Sequence, residues 1–346
     1  MTMLLDGIYI PLTMPFTHEG ACYFRKLAYN IGRYSLGPAA GFVALTGEGA
    51  ALSDEEVQTT LQMIADTAAP EKVLIAAIER GSLQGALAVA RQAESVGFDA
   101  VLVSAPLEWR LLSGDEIMTY FLSIADSSPL PVILRSEKAG YQLTIDSVSN
   151  LAQHGNVIGI SEDGLLKTRY ESIVDATREY KREVTVTTVF APVTRRMLGV
   201  VKQDDGFVNA ASLASGAAVA TVASSNRLRT RTRAIGFQVL AAGRTSGLVE
   251  LMEAGVLGAM PALAAAAPQG VHEVYAAFKD GDPALAVVKQ ERLIEADAAL
   301  RQLGIAGIKY GCDLNGYYGG VARLPRLPLD AASRTTVERV MAGLNH

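Results

Sequence analysis

Reactive residue types collect just past a series of short apolar runs. Glu48, Glu79, Arg80, Arg135, Glu137, Glu162 and Asp163 each stand at or beyond the C-terminal end of such a run. Arg135 is the most informative of them. A guanidinium stays charged and offers a planar fork suited to a carboxylate or phosphate, so Arg135 reads as the binder of an anionic group, with the Thr46 and Gly47 amides assisting. The competing reading is an ion pair of Arg135 with Glu48 or Glu162, because an unpaired buried charge is costly. Glu48, Glu79 and Glu162 could supply hard oxygen ligands for Mg²⁺. His18, His154, His272 and His346 fall away from these ends, and no metal or other cofactor is expected. Ser161 could act as an acyl-transfer nucleophile, but it lacks a nearby histidine base and a nucleophile-elbow context. Lys138 and Lys167 are the amines nearest the same ends. A nucleophilic amine needs burial to lower its pKa, and a solvated surface position is the default for lysine.

The elements that would position these groups follow one rhythm. Nearly continuous apolar runs occur at 7–12, 41–45, 73–78, 100–103, 131–134, 157–160, 235–240 and 256–260, as parallel strands buried on both faces require. Amphipathic stretches lie between them. Ser53 and Glu56 form a capping box that opens one helix, and another, Ser82 to Val96, ends at Gly97. Eight strands alternating with helices predict an α/β fold, a (β/α)8 TIM barrel over residues 1–265, followed by a helical region over 266–346. Within that region helices are expected over 269–279, 282–303 and 331–344, and Tyr317-Tyr318-Gly319-Gly320 reads as a turn with helix packing. Trp109 and Tyr120 read as packing or interface residues, and Asp163-Gly164 and Asp205-Gly206 as turns.

One stretch breaks the rhythm. About 50 residues rich in Ala, Ser, Thr, Val and Arg, roughly 183–233, occupy a connection that usually takes about 2–6 residues. They fall on the N-terminal side of the barrel, opposite the expected site. Two readings stand: an insertion with a role such as assembly, or non-native sequence such as a retained intron.

Bulk properties narrow the partners. The chain has 346 residues, a net charge of −5 and 19% charged residues, without a long basic run. Nucleic acid and anionic membranes are therefore poor partners. The longest apolar run, about 256–268, is too short to span a bilayer. Cys22 and Cys312 have no metal-like spacing, no secretory signal is evident, and a reduced cytoplasmic location is expected.

Taken together, several motifs resemble the dihydrodipicolinate synthase/N-acetylneuraminate lyase family. They are Gly7-x-x-x-Pro11-x-Thr13-x-Pro15-Phe16, the Leu45 to Ser53 loop, Leu130 to Leu134, Asn156 to Ile160, Gly281-Asp282, Lys309 and Arg323-x-Pro325. The likeness covers residues 1–180 and 234–330. It implies a lyase barrel, a homodimer or homotetramer, and a small anionic metabolite as ligand. Family chemistry uses a lysine imine with a 2-oxo acid, a tyrosine proton shuttle and a Thr-Thr loop for the carboxylate. By the same likeness this chain carries Ser161 at the lysine position, Arg135 at the tyrosine position and Leu45 at the first threonine. It has Pro106-Leu107-Glu108 in place of the segment that supplies a neighbour's tyrosine. Thr46, Gly47 and Glu48 remain from the ligand loop.

A serine cannot form an imine. Three functions follow from this pattern. The first is a lyase-family barrel that binds a small 2-oxo acid or related carboxylate without an imine, with Ser161, Arg135 and Glu162 in the reactive centre and Thr46, Gly47, Glu48 and Arg135 on the ligand. The second is a catalytically silent metabolite-binding or scaffold barrel. The third is acid/base or metal-assisted lyase or hydratase chemistry through Glu162 or Glu48.

Overall fold

The computed structural model describes residues 3–106, 111–137, 140–164, 166–203 and 229–344. Leu107, Glu108, Trp109, Lys138 and the Asp205-Gly206 turn lie outside these residues. Eight strands close into a parallel barrel: β1 (Gly7–Pro11), β2 (Gly41–Ala44), β3 (Val73–Ile78), β4 (Ala100–Val103), β5 (Val132–Ser136), β6 (Val157–Glu162), β9 (Gln238–Gly243) and β10 (Gly258–Pro261). The strands neighbour one another in the order β1-β10-β9-β6-β5-β4-β3-β2.

The helices of the barrel wall are α1 (Phe24–Ser35), α2 (Asp54–Thr67), α3 (Leu83–Ser95), α4 (Gly114–Ser127), α5 (Ile145–Ala152), α6 (Lys167–Ala176), α8 (Leu248–Glu253) and α9 (Pro268–Lys279). Ser53 and Glu56 form the expected reciprocal capping box on α2. Ser82 caps α3, and Gly97 adopts φ +95° just past its end. The chain then continues into α10 (Pro283–Gln302), α11 (Gly304–Leu314) and α12 (Ala331–Met341). No helix among the described residues is long and apolar enough to cross a membrane.

Strand alternation sorts the core into two layers. Val73, Ile75 and Ala77 of β3 point into the barrel, where they meet Tyr9, Val43, Leu102, Ile133, Ile158 and Leu240. Leu74, Ala76 and Ile78 point out against the helices. This period of two decides below which charged residues reach the barrel mouth.

The seventh barrel strand begins at Gln238 rather than Ile235. Ile235 instead ends β8 (Thr230–Ile235), which pairs antiparallel with β7 (Arg182–Thr187) outside the barrel. Gln238 starts the true strand by taking the Leu5 N–H at 2.6 Å and donating to the Met3 carbonyl at 2.8 Å. The segment read as irregular thus has regular structure at both ends, and α7 (Arg195–Gln203) follows β7. Val184 and Val186 bury against Leu4. Thr194 donates to the Pro70 carbonyl, and Arg196 donates to the carbonyls of Ala68 at 2.6 Å and Ala69 at 3.0 Å. These acceptors precede β3, so the hairpin and α7 sit on the N-terminal side of the barrel.

Candidate functional site

A cavity of about 190 Å³ opens at the C-terminal mouth of the barrel. Its floor is Leu102 and Met260, with Ser161 beside them. Thr13, Thr46 and Gly47 line one side, and Arg135, Glu137 and Asp163 the other. Ile305 and Ile308, three residues apart on α11, close the top. The last two were not visible as site residues in the sequence, because only tertiary packing brings α11 over the mouth.

Arg135 follows inward-facing Ile133 by two positions on β5 and therefore also faces in. Glu79 follows Ala77 by the same count, one residue past the end of β3. Arg135 Nη1 donates to Glu79, and Nη2 pairs with Glu137. The ion pair weighed for Arg135 therefore exists, but its partners are Glu79 and Glu137, not Glu48 or Glu162. Burial pushes the Glu137 carboxyl up, the neighbouring Glu79 and Asp163 charges push the same way, and Arg135 opposes them.

Ser161 and Glu162 are adjacent in sequence but serve different faces of β6. Ile160 packs outward, so Ser161 faces in and Glu162 faces out. Ser161 is buried, and its hydroxyl points to the Met260 sulfur at 3.4 Å, a weak acceptor. Glu162 is fully buried behind the barrel wall. It takes Arg169 Nη2 at 2.7 Å, Gln142 Nε2 at 2.9 Å and the Gly164 N–H at 3.2 Å.

Glu48 turns away from the cavity as well. Lys309 of α11 holds it at 2.9 Å, and the same ammonium donates to the Val321 carbonyl and lies 4.6 Å from the Phe16 ring. Burial pushes the Glu48 carboxyl up and the Lys309 ammonium down, each against the attraction of its partner. Glu48, Glu79 and Glu162 are thus held by three separate cations and do not converge as a ligand set for Mg²⁺. No group of three or more His, Cys, Asp or Glu side chains suited to a metal occurs among the described residues.

The ligand loop itself is tightly shaped. Leu45 adopts φ +63° and Gly47 φ +68°. A leucine in the left-handed region costs on the order of 1 kcal/mol and is held there by its surroundings. Thr46 Oγ1 leans on the Leu12 carbonyl at 3.4 Å, and the Glu48 N–H closes onto the Thr46 carbonyl at 2.6 Å. Behind this loop Arg323 grips Glu56 through both guanidinium nitrogens at 2.6 and 2.8 Å, which draws the Glu56 carboxyl down to about 2.

Lys167 opens α6 at the surface and pairs with Glu253 at 3.0 Å. That carboxylate holds its ammonium above the usual value, the opposite of what a nucleophilic amine needs.

A closed parallel barrel of this kind also appears in known proteins. The family model described as the dihydrodipicolinate synthetase family matches residues 4–180, more than half of the chain. The chain belongs to that family. As a member it is a lyase-type barrel. It is 25% identical over 348 residues to the 4-hydroxy-tetrahydrodipicolinate synthase of Acidiphilium cryptum, covering 99% of each chain. It is 31% identical to the Xanthomonas axonopodis enzyme of that name over 164 residues, 46% of this chain and 54% of that one. Among solved structures, a Bacillus anthracis dihydrodipicolinate synthase superposes with a TM-score of 0.78 at 20% identity over all of both chains. An E. coli prophage protein of the family, solved in complex with pyruvate, gives 0.76 at 22% identity over 99% of each chain. At these identities the solved structures establish the fold alone.

Proposed function

We propose that the barrel-mouth cavity binds a small 2-oxo acid or related carboxylate and that this chain handles it without a lysine imine. One observation carries the reading: among the described residues, the cavity wall contains Ser161 and no lysine. A hydroxyl has no nitrogen from which to build an imine. The two described lysines near the mouth are committed elsewhere, Lys309 to Glu48 and Lys167 to Glu253.

Anion binding has two supports. The Thr46 and Gly47 backbone borders the cavity opposite Arg135, and Thr13 adds a hydroxyl. Arg135 commits Nη1 to Glu79 and Nη2 to Glu137, yet a guanidinium carries five donors, so N–H groups remain for a ligand. A cavity of about 190 Å³ suits a molecule of pyruvate size rather than a nucleotide. The pyruvate in the structure of the E. coli relative is consistent with that class of ligand.

A silent binding barrel is the second reading. It is favoured by the neutralisation of Arg135, which leaves the cavity rim with carboxylates as well as a cation.

Incubation of the full-length protein with pyruvate and borohydride, followed by intact-mass measurement, tests the imine statement. The expected result is no covalent adduct. A stable adduct mapped to Lys138, Lys167 or Lys309 overturns it. A thermal-shift series with 2-oxo acids, sugar acids and phosphates tests the ligand class, and turnover of a stabilising ligand separates the enzyme from the silent barrel.

A further inference from the structure

Acid/base catalysis needs a carboxyl group that opens onto the substrate and is not fully solvated. Four glutamates crowd the barrel mouth, and the structure separates them. Glu48 and Glu162 are at 2% and 0% exposure, each locked on its own cation away from the cavity. Glu79 lies behind Arg135 and does not line the cavity. Glu137 does line it, with its side chain 30% exposed.

We propose that Glu137 is the acid/base catalyst of this cavity, removing a proton from the carbon next to the 2-oxo group of a bound acid and returning it. The inference rests on the carboxylate-binding reading above and adds to it a residue and a step. Glu137 stands one residue past β5. Its backbone is fixed by donation of its N–H to the Tyr141 carbonyl at 3.0 Å, and its carboxylate is oriented by Arg135 Nη2. Asp163 lines the cavity from the end of β6, so two carboxyl groups face the same small volume. The Asp163 charge favours the protonated form of Glu137.

The step balances without a co-reactant. The substrate C–H bond breaks and its proton passes to the Glu137 carboxylate. The electron pair left behind forms the carbon–carbon π bond, and the carbonyl π pair moves onto oxygen. The resulting enolate oxygen takes a hydrogen bond from the Ser161 hydroxyl and from the Arg135 guanidinium, both of which border the cavity. Ser161 is able to turn to that oxygen because its present acceptor is only a thioether. Return of the proton from the Glu137 carboxylic acid restores both partners. In this scheme a hydroxyl donor and a cation replace the electron sink that an imine would provide.

The test is exchange of the pyruvate methyl protons in D₂O, followed by proton NMR on the full-length protein, with saturation transfer from protein to pyruvate as an independent reading of binding. Wild type is expected to exchange the methyl protons faster than buffer, at a rate that rises with pH as Glu137 loses its proton. Glu137→Gln is expected to lose about 10²-fold or more of that rate and its pH dependence while saturation transfer persists. Glu137→Asp, which keeps a displaced carboxylate, is expected to be slowed and to show a shifted pH profile. Equal exchange by wild type and Glu137→Gln overturns the assignment. If the Gln variant does not fold, an Asp variant with an unchanged rate and profile overturns it instead. Binding without exchange in wild type sinks this inference and leaves the carboxylate-binding reading standing. Absence of saturation transfer in wild type sinks both.

Discussion

Lys309 reaches across 261 positions of chain to place its ammonium 2.9 Å from the Glu48 carboxylate, with both side chains at 2% exposure or less. The pair ties the ligand loop to α11, the helix that carries Ile305 and Ile308 over the cavity. Removing one partner strands the other as a buried charge, which typically costs about 3–5 kcal/mol. Lys309→Met is therefore expected to lower the urea midpoint strongly, and Glu48→Gln to do the same. The double variant removes both charges and is expected to recover most of the loss. A double variant no better than the sum of the singles would show that the two side chains are not coupled.

Much of the frame was readable because buried parallel strands leave near-continuous apolar runs. All eight runs mark barrel strands; the eighth run begins two residues before its strand and the seventh three, since Ile235 is as apolar as the strand that follows it. The capping box of Ser53 and Glu56 was equally plain, because both partners lie within one turn. The charged residues were harder. Their partners come from other elements: Arg169 for Glu162, Lys309 for Glu48, Glu79 for Arg135. Part of this was still accessible. Counting by twos from Ala77 and Ile133 puts Glu79 and Arg135 on the inner face, and the same count separates Ser161 from Glu162. A register shift between β5 and β6 near Val132/Ile133 upsets that count at the start of β6, so it must be made from Ile160. Lys309 gave no periodic signal, since burial of a lysine is decided by its distant acid.

At the opposite end of the barrel, Asp99 joins the hairpin region to the strands. Its carboxylate takes the Leu74 N–H at 2.9 Å and the Arg195 N–H at 2.7 Å. Burial outweighs these hydrogen bonds and raises its pKa from 3.8 to about 6. A carboxyl whose folded pKa lies above its unfolded value stabilises the fold fully below the unfolded value, and that contribution is lost as pH rises through the folded one. Between pH 4 and 7 wild type should lose up to roughly 3 kcal/mol relative to Asp99→Asn, by the usual 1.4 kcal/mol per pKa unit. Denaturant unfolding of both proteins across this range checks the trend. An advantage of wild type that grows toward pH 7 would contradict it.

Both cysteines are expected to be chemically quiet in the folded protein. Cys312 is fully buried, and burial raises its thiol to about 12. Cys22 is also raised to about 12, by burial first and then by the neighbouring Glu56 carboxylate. Only the thiolate reacts at a useful rate. Titration with a disulfide reagent at pH 8 should find almost no fast thiol in the native protein and both after guanidinium is added. A single rapidly labelled Cys22 would mean that Arg323, not Glu56, governs its charge.

Arg135 is the hinge of the site's electrostatics, since its two Nη atoms hold Glu79 and Glu137 at once. Lysine offers a point charge in place of a planar fork and cannot reproduce that bridge. Arg135→Ala leaves two half-buried carboxylates with no cation between them, so the Glu137 carboxyl, already pushed up by burial, should titrate at higher pH in the variant than in wild type. Ionisation of Glu137 beside the Glu79 charge then opposes folding, and the penalty shrinks as Glu137 is protonated. The melting temperature of Arg135→Ala should accordingly fall well below that of wild type at pH 7.5, on the order of 1–3 kcal/mol of stability, and the gap should shrink at pH 5. Glu79→Gln in the Arg135→Ala background should recover part of the loss at pH 7.5 and little at pH 5. A gap that is the same at both pH values would mean that Arg135 contributes by packing its aliphatic stem, with the carboxylates stabilised by other groups.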